Sequence, residues 1–377
     1  MNLNGFFIFL ALAISSTVPI HGQTTSDKYQ AVINDAHQNG LPAIVALVKA
    51  QGEEVWKGKS GLRNLENATP LDIDQSFRLA SISKIFTSVV ILQLIDEKKI
   101  ALTDTVSNYL DAVIQKKIPH VNNITIHQLL SHSSGIYSFT ENNKFWKECF
   151  YNGGMSRVWS PKELIRYVEN KKPVHRPVAP NTEKFYSNTN YILLGMIIQK
   201  ITNNSLSSEY QKRIFTPLNM KHTFLEGYDH QHRNSIDSYA IPNSFFLKSA
   251  MRKRGMKKIK GSKLINLSRE YKLFNSWAWA AGGISSTVND LSSFLSALRK
   301  GVLLKNDTQK ILSKLNSSHN KGITYFGGTG GSDGIQATML HLMPSDINII
   351  ILINSSGHKH VNLSSIFGKL FKIASQK

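Results

Sequence analysis

Strand-like apolar runs lie at the two ends of this chain, and helix-like segments fill the space between them. Near the start, Ile44-Val45-Ala46-Leu47-Val48 reads as a strand. Gln51-Gly52 reads as a turn, and Glu54-Val55-Trp56-Lys57 as the returning strand of a hairpin. Near the end, Ile323 to Phe326, Ile335 to Leu342 and Ile347 to Ile353 read as three more strands. A Gly-rich turn and a Pro-Ser-Asp turn separate them. The arrangement predicts an α/β (α+β) chain whose single antiparallel sheet is completed from both ends. It divides the chain into an α/β lobe of about 23–80 and 275–377 and a mostly helical lobe of about 81–274, with a cleft between them.

The helices carry their own marks. Ser26 is placed to cap a helix with apolar Tyr29, Val32, Ile33 and Ala36, ended by Gly40. Residues 82–98 are apolar at helical spacing through Ile82, Ile85, Val89, Leu92 and Ile95. Tyr191 to Ile198 is apolar all round, as in a buried helix. Thr287 with Asp290 forms a capping box before Val288, Leu291, Leu295 and Leu298, and Gly301 ends that helix. The last helix presents Leu363, Ile366, Phe367, Leu370 and Ile373, and with the first it is expected to cover one face of the sheet.

Composition narrows the class. At 377 residues and 41% apolar the chain can bury a sizeable core, so global disorder is excluded. One cysteine, Cys149, excludes an internal disulfide framework and any cysteine-rich metal site. Phe6 to Ile14 is a run of nine apolar residues, short of the roughly 20 a bilayer span needs. It reads as the core of a signal peptide of residues 1–22, cleaved after Gly22, although no Lys or Arg precedes it. The competing reading is an uncleaved anchor. Cleavage would leave a periplasmic or secreted chain with no transmembrane span. The net charge of +20 is partly local: Lys248, Arg252, Lys253, Arg254, Lys257, Lys258, Lys260 and Lys263 fall in one stretch. That stretch is either a solvated loop or a contact for an anionic cell-envelope surface. With no nucleic-acid motif and no interleaved aromatics, nucleic acid is not expected.

Chemistry concentrates at Ser81-Ile82-Ser83-Lys84. A serine hydroxyl is a weak nucleophile until a base takes its proton. Positions i and i+3 share a helix face, so Lys84 is within reach of Ser81. A partly desolvated lysine can lose its proton near neutral pH and act as that base. The pattern alone says little, since Ser-x-x-Lys occurs three times, at Ser81, Ser318 and Ser356. Only the first precedes a strongly apolar helix. His127 and His132 lack a Gly-x-Ser-x-Gly partner and read as structural. No metal-ligand spacing is present and no cofactor is implied. Trp277 and Trp279 either line the cleft or pack inside.

Phe77 to Lys84 resembles the nucleophile segment of the serine β-lactamase and penicillin-binding-protein family, closest to its class C branch with D-Ala-D-Ala carboxypeptidase and esterase relatives. Four further stretches resemble that family in order: His127 to Ile136, the Tyr-x-Asn of Tyr186 and Asn188, Thr216 to Met220 with Asn219 in place of glycine, and Ala281 to Thr287 with Asp290. The resemblance spans roughly residues 26 to 375 and implies a β-lactamase/transpeptidase-like fold. It implies that Ser81 is acylated, that Lys84 helps deprotonate it, and that Tyr186 relays protons, with Lys84 lowering the phenol's pKa. Asn188 would hydrogen-bond a substrate amide. Without the motif, Tyr186 reads as a core tyrosine below Tyr191. The amides of Ser81 and Gly331 would form an oxyanion hole, beside Thr329 and Gly330 as substrate contacts.

One departure stands out. The family carries Lys-Thr-Gly or His-x-Gly beside the nucleophile, and here the stretch is Gly328-Thr329-Gly330. Gly328 supplies no cation for a substrate carboxylate or for Tyr186. The expectation is an exported serine hydrolase acting on a small-molecule or peptide amide or ester: a peptidoglycan-type peptide, a β-lactam or a small ester. The alternative is a catalytically weak relative that binds cell-wall polymer or a protein partner.

Overall fold

A computed structural model describes residues 24–376, except 181, 183, 184, 230–234, 272, 274, 321 and 360. The expected signal peptide of residues 1–22 lies outside the described residues. Among them no helix is long and apolar enough to cross a membrane.

The chain starts with α1 (Thr25–Gln38), then β1 (Ala43–Lys49), β2 (Trp56–Asn64) and β3 (Thr69–Pro70). The C-terminal part supplies β4 (Ser317–Asn320), β5 (Ile323–Ser332), β6 (Ile335–Met343) and β7 (Ile347–Ile353). These form one sheet in the order β3-β2-β1-β7-β6-β5-β4. The first strand therefore hydrogen-bonds to the last, antiparallel, with Leu47 opposite Ile350. β1 and β7 are buried almost end to end, because helices cover both faces. On one face lie α1 and α7 (Leu363–Ala374), whose Tyr29, Ile33, Ile366 and Leu370 pack on Ile44, Ala46, Ile349 and Ile351. On the other lies the main core, built around α2 (Ser83–Asp96), α3 (Asn188–Thr202) and α5 (Val288–Arg299), with α4 (Phe245–Arg254) and α6 (Asn306–Asn316) nearer the surface.

Three local readings shift. The first helix is capped by Thr24, in a reciprocal box with Asp27, rather than by Ser26. The middle of the chain is not wholly helical: Phe224–Leu225 pairs with Ile284–Ser286, and Tyr239–Ala240 with Ser355–Ser356. These two stretches of the 81–274 segment thereby pair with strands that lie beyond residue 274. Finally, the Gly-rich segment read as a turn is strand through Ser332. Gly327 has φ +132°, and a Cβ there would sit 2.1 Å from the Met339 carbonyl oxygen. A Cβ on Gly330 would sit 2.0 Å from that of Leu79. These glycines permit close approach inside a sheet, a use that composition cannot tell from a turn.

Candidate active site

Ser81 stands at the corner where a short strand becomes α2. Phe77–Arg78 pairs with Ile284–Ser286, and the Leu79 N–H donates to the Ile284 carbonyl at 2.9 Å. The Arg78 guanidinium, buried, donates twice to Glu226 and once to the Ile236 carbonyl. Ser83 Oγ accepts from the Ile284 N–H at 3.0 Å. The chain then turns through Ala80 at φ +46°, a left-handed conformation costly for any residue with a Cβ. α2 is buried on nearly every side, so the corner cannot relax outward.

The side chains converge there. Ser81 Oγ lies 2.6 Å from the Tyr186 hydroxyl and 3.2 Å from Lys84 Nζ. Lys84 Nζ also donates to the Ala281 carbonyl at 2.5 Å and to Asn188 Oδ1 at 2.8 Å. Lys84 is 6% exposed, and this burial lowers its pKa to about 7. A neutral amine has two N–H bonds and one lone pair. Ala281 and Asn188 take the two hydrogens, which leaves the lone pair for the Ser81 proton. Tyr186 behaves oppositely: its side chain is half exposed, yet desolvation raises its pKa above the ordinary phenol value, against a smaller lowering by the Ser81 hydrogen bond. At neutral pH the phenol is therefore a proton-bearing donor. Burial outweighs the hydrogen bond at this phenol, and an amine with a pKa of about 7 carries only about half a charge at neutral pH.

Tyr186 is held by His132, whose φ is +58°. The His132 carbonyl accepts from the Phe185 N–H at 3.0 Å, and its Nδ1 accepts from the Ser187 N–H at 3.2 Å. Its ring stacks on Tyr186 with centroids 4.5 Å apart. The residues on either side of the phenol are thus pinned to one histidine. A cavity of about 420 Å³ opens over this group, bordered by Ser81, Lys84, Ile85, His132, Tyr186, Leu315, Asn316 and Gly328 to Gly331.

Residues 29–347 match the family model described as Beta-lactamase. The chain belongs to the Beta-lactamase family. Among curated proteins it is 26% identical over 211 residues to "Protein flp" of Staphylococcus aureus (strain MW2), covering 56% of this chain but 40% of that protein. The chain therefore spans well under half the length of that relative. Among solved structures it resembles a D-stereospecific amidohydrolase from Streptomyces sp., with a TM-score of 0.71, 25% identity and 93% and 98% of the two chains covered. It also superposes on the D-amino acid amidase from Ochrobactrum anthropi SV3, solved with L-phenylalanine amide, with a TM-score of 0.74, 20% identity and the same coverage.

Most residues singled out by the family resemblance meet at this corner. Ser81, Lys84, Tyr186, Thr329, Gly330 and Gly331 border the cavity or its rim. Asn188 is at hand but differently engaged: its Oδ1 holds Lys84 and its Nδ2 donates to Thr140 Oγ1 at 3.0 Å. Both ends of its amide thus have partners within the protein. Gly330 abuts the Leu79 carbonyl and sets how closely β5 approaches Ser81. At Gly328 a Cβ would meet only the tip of Ile85, at 3.2 Å, so the position is open and its neighbour apolar. Trp279 is buried in packing, and Gly195 of α3 lies against it. Sequence reasoning gave no role to the Ala281 carbonyl or Thr140, and read His132 as structural only. Ala281 lay inside a recognised stretch, but nothing in a residue type reports where its carbonyl points.

Proposed function

We propose that this chain is a serine hydrolase that forms an acyl-enzyme on Ser81 and acts on an amide or ester with no carboxylate beside the scissile bond. The observation that carries this is the contact of Ser81 Oγ with both the Tyr186 hydroxyl and Lys84 Nζ. The Ser81 oxygen bonds to the carbonyl carbon while its proton passes to Lys84. The oxyanion is met by the N–H groups of Ser81 and Gly331, each donor worth on the order of 3 kcal/mol. Collapse breaks the C–N or C–O bond. The leaving group takes the Tyr186 proton, which the proton held on Lys84 replaces. Water then attacks the ester carbon and gives its proton to the same pair; the bond to Ser81 Oγ breaks, and that oxygen takes the proton back, which restores the resting state as the acid leaves.

The substrate class follows from Gly328. Among the described residues, the side chains bordering the cavity offer Lys84 and His132 as basic groups, and both are engaged with the Ser81–Tyr186 apparatus. A substrate carboxylate would meet Ile85 and Leu315 instead of a cation. Amino-acid amides and small esters suit this better than a carboxylate-terminated peptide, and amide chemistry is what the names of two structural neighbours describe. The reading includes export, on the strength of the apolar run Phe6 to Ile14. A binding protein without turnover is the second reading, favoured by the same bare Gly328.

Intact mass after exposure to a fluorophosphonate decides between them. The hydrolase reading expects one adduct on the wild-type chain and none on Ser81→Ala, with amide or ester turnover lost in parallel. No adduct and no turnover on the wild type would leave the binding reading.

A further inference from the structure

All eight cations from Lys248 to Lys263 are exposed. No Asp or Glu occurs between Asp237 and Glu270. Those two flanking carboxylates are themselves engaged, Asp237 with Asn64 and Glu270 with Arg269. Among the described residues none of the eight is paired with a carboxylate. The helix accounts for part of the cluster. Arg252, Lys253 and Arg254 occupy the last turn of α4, where the dipole favours positive charge. Lys253 and Arg254 also sit over the rings of Tyr151 and Tyr271, at 4.5 and 5.2 Å. Nothing of that kind accounts for Lys248, Lys257, Lys258, Lys260 or Lys263.

A second observation is apolar. Phe245, the first residue of α4, is 72% exposed. It shares one stripe of the helix with Lys248 and Arg252, three and seven residues on. The opposite stripe, Leu247 and Ala250, is buried. Phe246 fastens the helix start to the body by stacking on Phe150, with centroids 6.5 Å apart. A soluble polyanion gains from the cations but little from an exposed phenyl ring on the same stripe. A bilayer surface gains from both: anionic headgroups attract the cations and the ring enters the headgroup–acyl boundary.

We propose that α4 and the loop to Lys263 form a docking surface for an anionic lipid bilayer, with Phe245 as its apolar anchor. The surface is built from elements that contribute nothing to the Ser81 corner, so docking and hydrolysis stand or fall separately.

The test uses the full chain and vesicles of phosphatidylcholine with or without one-third phosphatidylglycerol. Co-sedimentation is expected with the anionic vesicles only, weakening as salt is added. Charge reversal by Lys257→Glu, Lys258→Glu and Lys260→Glu together should raise the lipid needed for half-binding by about tenfold or more. Phe245→Ser should raise it several-fold, while fluorophosphonate labelling of Ser81 is unchanged in both variants. Because Cys149 is buried, a thiol introduced as Phe245→Cys can carry an environment-sensitive dye alone. Its emission should shift to shorter wavelength on anionic vesicles. Absence of sedimentation overturns the proposal. So does sedimentation without a dye shift, if Phe245→Ser binds like wild type and soluble polyphosphate strips the protein off: the patch would then read polyanions and not membranes.

Discussion

The two walls of the cavity are built on opposite plans. The wall formed by α2 and the start of α3 is crowded with functional groups: Ser81, Lys84, Tyr186 and Asn188 meet within hydrogen-bond distance. The facing wall, β5 from Gly327 to Gly331, offers backbone and one threonine. Under the proposed mechanism the first wall supplies the nucleophile, the base and the proton donor. The second holds what a passing substrate would be chosen by, and its side chains are mostly absent. In the proposed mechanism the two tasks are divided between the walls, except that the Gly331 N–H of β5 also serves the oxyanion.

The largest expected effect comes from stripping the furnished wall. Lys84→Met should lower kcat by about 10²–10⁴, the usual worth of a positioned base. In the wild type, activity should rise with pH until Lys84 is neutral, a limb centred near its lowered pKa of about 7, and level off above it. Stability has the same origin and can be checked independently. Between pH 7 and 10.5 the folded chain holds Lys84 neutral while the unfolded chain still binds its proton. The unfolded state therefore binds more protons, and stability rises with pH across that window; below pH 7 the full penalty of burying the ammonium applies. Lys84→Met should flatten that slope and gain about 1–3 kcal/mol at neutral pH, offset in part by the acceptors left on Ala281 and Asn188. Denaturant melts at pH 7 and pH 9 would read it. A steep slope retained in the variant would assign the pH dependence elsewhere.

Breaking the bare wall should do less to chemistry and more to architecture. Gly330→Ala places a methyl 2.0 Å from the Leu79 carbonyl oxygen, a backbone atom that cannot swing away. β5 must retreat from the nucleophile corner. The expected cost is about 1–3 kcal/mol of stability, with a fall in turnover as the Gly331 amide leaves the oxyanion. A melting curve beside an assay separates the two. Unchanged turnover in a destabilised protein would mean that the oxyanion is held by other donors.

The contrast between the walls also explains what could be read from the sequence. The sheet closed from both chain ends followed from apolar patterning, because β1 and β7 are buried on both faces and carry little else. Ser81, Lys84, Tyr186 and Asn188 were legible because the family's motifs are written in side chains, and these four meet at one corner. The Thr24 cap and the Gly327 to Ser332 strand were misread for one reason: neighbouring hydroxyls and repeated glycines satisfy several local structures equally well, and tertiary contacts choose among them. Strand pairing by Tyr239–Ala240 was invisible, since a two-residue strand has no period. The engagement of Asn188 and the grip of His132 on the residues flanking Tyr186 depend on distances across α3 and its neighbours, which no local pattern encodes.

The smallest effect is the one that sharpens the comparison most. Gly328 is not required by its surroundings, since a Cβ would press only on the flexible end of Ile85. Its φ is not in the left-handed region, so a side chain costs no backbone strain there. Gly328→Lys should therefore fold and keep the furnished wall intact. If the missing cation is what sets the substrate class, the variant should gain about tenfold in kcat/KM for a substrate bearing a carboxylate beside the scissile bond. That is about 1.4 kcal/mol, the scale of one hydrogen bond to a charged partner. The matching uncharged amide should change little or lose slightly through crowding at Ile85. Steady-state kinetics on such a pair reads the ratio directly. An equal change for both substrates would mean that position 328 tunes the apparatus around Tyr186 and that selection is made elsewhere in the cavity.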